Sequence, residues 1–266
     1  MNQSYIFMKK FLLAGLFVSV SLLGWAQSNK PIVGVENFSG NATEASLVSL
    51  RNNLMTTATN TNRVHVVDLN DHNDGMSYHA FLRGQINDVK QEPCEIITLD
   101  GKKHRGVKAD ITMTLTLVDA GDGTTISQLT IGSTGRGHTF DEALMDAVKV
   151  SGSSRLNNFI INAFPVGGSI VALGDADSKK AKTVYVDLGS NDGISTGQKL
   201  EVYALVDIAG QQSRKLLGEL KIEEVMGGNR SLCKVTKNGE QILQEINNGG
   251  ALPVESKEQK TNFLGF

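Results

Sequence analysis

Cysteine is nearly absent: Cys94 and Cys233 are the two in 266 residues. That excludes the multi-bridge disulfide framework on which small secreted domains rest. Neither sign of charge dominates, since 26 basic and 28 acidic side chains give a formal net charge of -2. Nucleic-acid binding, which calls for a basic face, gains no electrostatic support from that balance. After residue 26 no apolar run is long enough for a membrane-spanning helix. Catalytic signatures are missing too. No Gly-x-Ser-x-Gly elbow is formed, since the stretch Gly193-Ile-Ser-Thr-Gly197 falls between two predicted strands rather than between a strand and a helix. The histidines, His65, His72, His79, His104 and His138, include no i, i+4 pair around a glutamate, so no zinc spacing arises. No catalytic residue, cofactor or metal ligand is expected.

What is present begins with a leader. Lys9 and Lys10 form a positive start, Phe11 to Leu23 an apolar stretch, and Gly24 and Ala26 place small side chains before a cut at Gln27. The stretch is shorter than the ~20 residues a bilayer-spanning helix needs, so residues 1–26 read as a cleaved signal peptide. No cysteine follows to carry a lipid. Of the 26 basic residues Lys9 and Lys10 leave with the leader, so 24 remain against 28 acidic, a net charge of -4. Export permits a disulfide. Cys94 and Cys233 fall in different predicted domains, however, and two unpaired buried thiols are expected.

With 40% apolar residues the remainder has material for a packed core. Residues 31–35 predict a strand. Asn41 and Glu44 have capping-box spacing ahead of a helix over 43–59, whose Leu47, Leu50, Leu54 and Ala58 repeat at helical period. A strand over 63–68 completes a strand–helix–strand unit suited to a parallel or mixed sheet. A strand over 78–89 follows, then a hydrophilic connection over 90–108, read as two short hairpin arms around Asp100-Gly101. Residues 109–118 alternate apolar with threonine, the mark of a half-buried strand, and turn at 120–123 into a strand over 125–133. Thr139 and Glu142 form a second capping-box pair at the head of a helix over 140–164, ended by Pro165 and Gly167-Gly168.

From there to residue 254 the chain changes character. Short strands at 169–173, 183–188, 198–206, 214–226 and 230–236 alternate with glycine-rich turns, which suggests a small barrel or sandwich. Gly193 is expected at positive φ, and Asp207 to Gln212 caps a hairpin. The fold class is thus an α/β (α+β) domain with a mixed sheet over 27–166, a small all-β barrel over 167–254, and a disordered tail over 255–266.

Three segments invite a chemical reading. Gly132-Ser-Thr-Gly-Arg-Gly137 precedes a helix, but it lacks the Gly-Lys-Ser/Thr ending of a phosphate loop and reads as a flexible strand exit. Asp68-Leu-Asn-Asp-His-Asn-Asp-Gly75 is rich in oxygen ligands. Taking Asn70, His72 and Asp74 as calcium-loop positions, however, leaves Phe81 where a bidentate glutamate belongs, so a solvated turn is the better reading. Asp141 and Glu142 are adjacent carboxylates whose place at a helix start favours the macrodipole.

Ile32-Val-Gly-Val-Glu-Asn-Phe-Ser-Gly40, Arg63-Val-His-Val-Val-Asp68 and the strand-and-hairpin stretch Ala109 to Gly123 resemble the curli secretion-channel (CsgG) family and its relative, the penicillin-binding-protein activator LpoB. Thr183 to Val202 and Leu217 to Val225 resemble the C-terminal barrel of the flagellar assembly protein FlgT. The resemblances imply a periplasmic scaffold. Channel members carry a lipid-bearing cysteine and insert amphipathic hairpins into the outer membrane. Here no cysteine lies near Ala26, and 90–108 reads as too charged and too short to line a pore. The expected function is a non-enzymatic periplasmic envelope-assembly or adaptor protein. Its partners would be envelope or secretion proteins and possible further copies of itself, with at most peripheral membrane association. The alternatives are a curli-type channel component and an enzyme with an unfamiliar site.

Overall fold

Pro31 leads into β1, Ile32–Val35, whose Val33 and Val35 side chains are buried. In the computed structural model, which describes residues 30–71 and 75–259 and no side chains within 150–153, β1 lies between two parallel neighbours. The leader (1–26), His72, Asp74 and residues 260–266 lie outside the described residues.

The neighbours of β1 are β3, His65–Asp68, and the start of β4, Ala80–Ile97. Helix α1, Glu44–Asn60, makes the crossover from β1 to β3. Its cap is Thr43, two residues beyond the expected Asn41, and the Thr43 hydroxyl accepts the Ser46 N–H at 3.3 Å. The physical reason is β2, Ser39–Gly40, which pairs with β4 and is followed by a bend at 41–42, where the Ala42 N–H donates to the Gly40 carbonyl, so the chain enters the helix only at Thr43. Leu50, Leu54 and Ala58 of α1 are buried. Each leucine contributes about 1.5–3 kcal/mol by that burial.

β4, β5 (Lys103–Asp119) and β6 (Thr125–Gly137) form an antiparallel meander, giving the order β3-β1-β4-β5-β6. The expected arms around Asp100-Gly101 are far longer than anticipated. The polar 90–108 stretch continues the strands on either side of it, so β4 runs 18 residues and β5 17. Backbone pairing, with Gly101 at φ 78° in the turn, holds this ribbon without help from an apolar face.

Helix α2, Phe140–Ala163, starts with the expected capping box of Thr139 and Glu142. It packs with α1 over one sheet face, where Ile111, Met113, Leu115 and Leu117 of β5 are buried. The opposite face is polar: Asn87 Nδ2 donates to Thr114 Oγ1 at 2.7 Å, and Thr114 and Thr130 hydroxyls lie 3.2 Å apart.

Beyond α2 six antiparallel strands close a barrel: β7 (Gly167–Leu173), β8 (Thr183–Val186), β9 (Lys199–Ile208), β10 (Gln211–Val225), β11 (Ser231–Lys237) and β12 (Pro253–Ser256). Their order around the barrel is β10-β11-β8-β7-β12-β9. The fold class is therefore the expected one, an α+β sheet domain followed by a small barrel. Gly193 has the expected positive φ of 65°, and Ala209 and Gly210, at φ 55° and 83°, make the 207–212 turn. Two elements were not foreseen. Helix α3, Gly239–Asn247, plugs the barrel with fully buried Ile242, and β12 completes the wall. Glu255 and Ser256 are thus strand residues rather than the head of a disordered tail, because their backbones pair with β7 and β9.

Candidate functional site

The glycine-rich run 132–137 is neither a loop nor a flexible exit, because it is the last stretch of β6. A Cβ on Gly135 would lie 2.1 Å from both the Ala143 carbonyl oxygen and the Ala147 amide nitrogen. On Gly137 it would lie 2.5 Å from the Ala143 amide nitrogen. These two glycines let the α2 backbone sit directly on the strand, which accounts for them without a ligand.

The oxygen-rich segment is also partly occupied by the fold. Asp68 pairs with the guanidinium of Arg51, itself buried at 4% exposure, and its Oδ1 accepts the Asn70 N–H at 2.7 Å. The Arg51 hydrogen bond holds the Asp68 carboxyl below the usual carboxylate range. Arg51 also donates to the Val35 and Glu36 carbonyls at 3.0 and 3.1 Å, tying α1 to the end of β1. At the head of α2, Glu142 accepts the His138 N–H at 2.7 Å. Asp141 reaches across to α1, accepting from the hydroxyls of Thr43 and Ser46, both at 3.1 Å. One carboxylate therefore serves two adjacent helix N-termini, which extends the role read from its position.

His65 is exposed on β3, His79 Nδ1 accepts the Ile32 N–H at 3.1 Å, and His104 and His138 stand edge to face with centroids 6.1 Å apart. Among the described residues no group of three His, Cys, Asp or Glu side chains is arranged to hold a metal ion. Both cysteines are free. Cys233 is buried in the barrel, where desolvation pushes its thiol up to about 12. Cys94, expected to be buried, is half-exposed because it lies on the projecting ribbon.

Sequence reasoning missed the joint between sheet domain and barrel. Arg63, just before β3, is 2% exposed and enters the barrel wall. Its guanidinium donates to the Gly193 carbonyl at 3.3 Å and to the Ser256 hydroxyl at 3.4 Å, while Nε has no partner among the described residues. Burial pushes its pKa down to about 10, opposed by nearby Asp192. Asn62 Nδ2 donates to the Ser190 carbonyl at 3.2 Å, and Gln259 and Asn162 exchange hydrogen bonds of 2.7 and 3.0 Å. A lone arginine beside Val64 gives no sign in the sequence of contacts 130 and 193 residues away.

The feature most open to a partner is the distal β4–β5 ribbon. β1 and β2 accompany β4 only as far as Ile86, and β6 accompanies β5 only from Val107 onward. Among the described residues, 88–97 therefore present a free backbone edge about 30 Å long at ~3.3 Å per residue. Pro93, which lacks an N–H, interrupts that edge. Lys103–Glu95 (2.9 Å) and Lys108–Glu92 (3.6 Å) pairs dress the ribbon, and its end carries Ile97 and Leu99, 67% and 112% exposed. No helix among the described residues is long and apolar enough to cross a membrane.

No family model matches the chain, and no curated protein matches it. Among solved structures it is similar to the PelC dodecamer protein of Paraburkholderia phytofirmans, at 13% identity over 51% of this chain and 88% of that one, TM-score 0.35. It is also similar to protein XCC0632 of Xanthomonas campestris, at 9% identity over 52% and 85%, TM-score 0.34. A third is lipoprotein GNA1162 of Neisseria meningitidis, at 11% identity over 43% and 90%, TM-score 0.27. Likenesses of this strength carry no argument about what this chain does.

Proposed function

We propose that the mature chain works outside the cytoplasm as a non-enzymatic envelope-assembly adaptor that grips partner proteins with the β4–β5 ribbon. The observation that carries this reading is the ribbon itself, whose edge over 88–97 away from β5 has no partner among the described residues and whose tip holds out Ile97 and Leu99. A free edge accepts a partner strand by backbone hydrogen bonds, while alternate side chains supply specificity. The leader sequence and the resemblance of the quoted segments to envelope-assembly families support the location. The braced joint at Arg63 suits a scaffold, because it holds sheet and barrel as a single platform.

The channel reading fits less well. The ribbon is long enough, contrary to the expectation from sequence, but Gln91 and Glu95 stand on one face of β4 and Lys90 and Glu92 on the other. Neither face offers the apolar alternation that a lipid-facing strand requires.

A photo-activatable cross-linker at Leu99, compared with one at exposed Val171 on the barrel, tests the proposal in intact cells. Defined adducts with envelope proteins from position 99, absent from position 171, are the expected result. Adducts with cytosolic proteins alone, or the same adducts from both positions, overturn it.

A further inference from the structure

Between α1, α2 and the sheet lies a gap of about 120 Å³. Met113 and Ile131 floor it, Leu50 and Leu54 wall it from α1, and Val148 and Leu156 wall it from α2. All six are under 5% exposed, so the interior is apolar. The mouth differs. Asn53 and Thr57 stand there on α1 with Lys149 on α2, and among the described residues no carboxylate lines the gap. Lys149 is exposed, so its ammonium ion keeps its hydration until an anion reaches it.

An apolar cavity of ~150 Å³ takes up a benzene-sized guest rather than water. This gap is therefore matched to about six methylene carbons in single file or one small ring. An apolar chamber with one cation and two neutral polar groups at its rim selects a narrow chemistry, an apolar tail carrying an anionic head. A charged ligand without a tail has no partner inside. A neutral tail forgoes Lys149.

We propose that this gap binds one short alkyl chain with an anionic head, of the fatty-acid carboxylate type, its tail between α1 and α2 and its head at Lys149. The site is separate from the ribbon, so occupancy and partner binding are measurable independently. Filling the gap bridges the two helices and raises the stability of the sheet domain by mass action.

The test uses the full mature chain and octanoate, with octanol as the neutral control. Calorimetric titration is expected to give one site per chain. Octanol should bind about tenfold more weakly, as expected for loss of one charge-assisted contact. Lys149→Glu, an exposed change, should lower octanoate affinity at least as much and leave octanol affinity unchanged, and Lys149→Arg should restore octanoate binding. Leu54→Trp fills the chamber and should abolish binding of both, with circular dichroism reporting whether the variant stays folded. Should Leu54→Trp unfold, chemical-shift changes in the wild-type protein locate the ligand instead, and are expected at Leu54, Met113 and Val148. Absence of saturable octanoate binding, equal affinity for octanoate and octanol, or shift changes away from these residues overturns the proposal.

Discussion

Gly135→Ala, set against Gly132→Ala in the same strand, isolates the packing of α2 on β6. A Cβ at 132 meets nothing closer than the Ile111 carbonyl oxygen at 4.0 Å. At 135 it meets Ala143 O and Ala147 N at 2.1 Å and Ala147 Cα at 2.7 Å, all backbone atoms that no rotamer change can move. Carbon contacts settle at about 3.5–4 Å, so the helix must retreat by about 1 Å along a face where Ala143, Leu144, Ala147 and Val148 are all buried. Overpacking of this kind costs ~1–3 kcal/mol when side chains can adjust, and backbone obstruction places Gly135→Ala at or above the upper end. Gly132→Ala relieves a glycine in a strand and should be neutral or stabilising by less than about 1 kcal/mol. At roughly 2–4 °C per kcal/mol for a chain of this size, Tm should differ between the two variants by ~6–12 °C. Thermal melts followed by circular dichroism read the difference, and urea midpoints check it. Melting of Gly135→Ala within about 2 °C of Gly132→Ala would refute the claim that close approach of the helix, rather than loop flexibility, explains these glycines.

Other residues give shorter tests. Glu219, hydrogen-bonded by Lys257 and Lys237, has its carboxyl pulled from an ordinary 4.5 down to about 2. A depressed folded-state pKa stabilises the protein above pH 4.5 and loses that contribution as pH falls to 2. Glu219→Gln should therefore be less stable than wild type at pH 7 by about 2 kcal/mol, allowing for solvent around the lysines, with the gap closing toward pH 2 in urea titrations. Arg63→Met should change stability by less than about 1 kcal/mol, since an apolar side chain of similar volume replaces a poorly satisfied buried cation. Arg63→Ala should cost about 2–4 kcal/mol through the space it empties, and equal effects in calorimetry would contradict this account of the joint. In native protein, maleimide followed by mass spectrometry should label Cys94 and spare Cys233, whose buried thiol is protonated up to about pH 12. Labelling of both at equal rates would show the barrel to be open.

Helix α2 was legible in the sequence because its cap and its apolar stripe are local signals that agree. The cap of α1 was misplaced because Asn41 and Thr43 both suit the role, and only the pairing of Ser39–Gly40 with β4 decides between them. The ribbon was underestimated for a different reason. Strands that bury little of either face carry no clear alternation, so over 90–108 the sequence shows a charged stretch without a readable period. Helix α3 carried a readable signal, Ile242, Leu243 and Ile246 on one face, hidden among the short strands around it. Arg63 was beyond reach, because its partners are set by how two separately patterned domains dock.

The place of β12 imposes an order of events. It enters the barrel between β7, the first strand of that domain, and β9, so the cylinder stays gapped until residues 253–256 arrive. The same short segment brings Ser256 to Arg63 and to the Val166 amide, whose N–H it accepts at 3.0 Å. A chain emerging amino end first thus holds a seam ajar until residues 253–256 have appeared. Closing that seam and locking barrel to sheet then happen as one act.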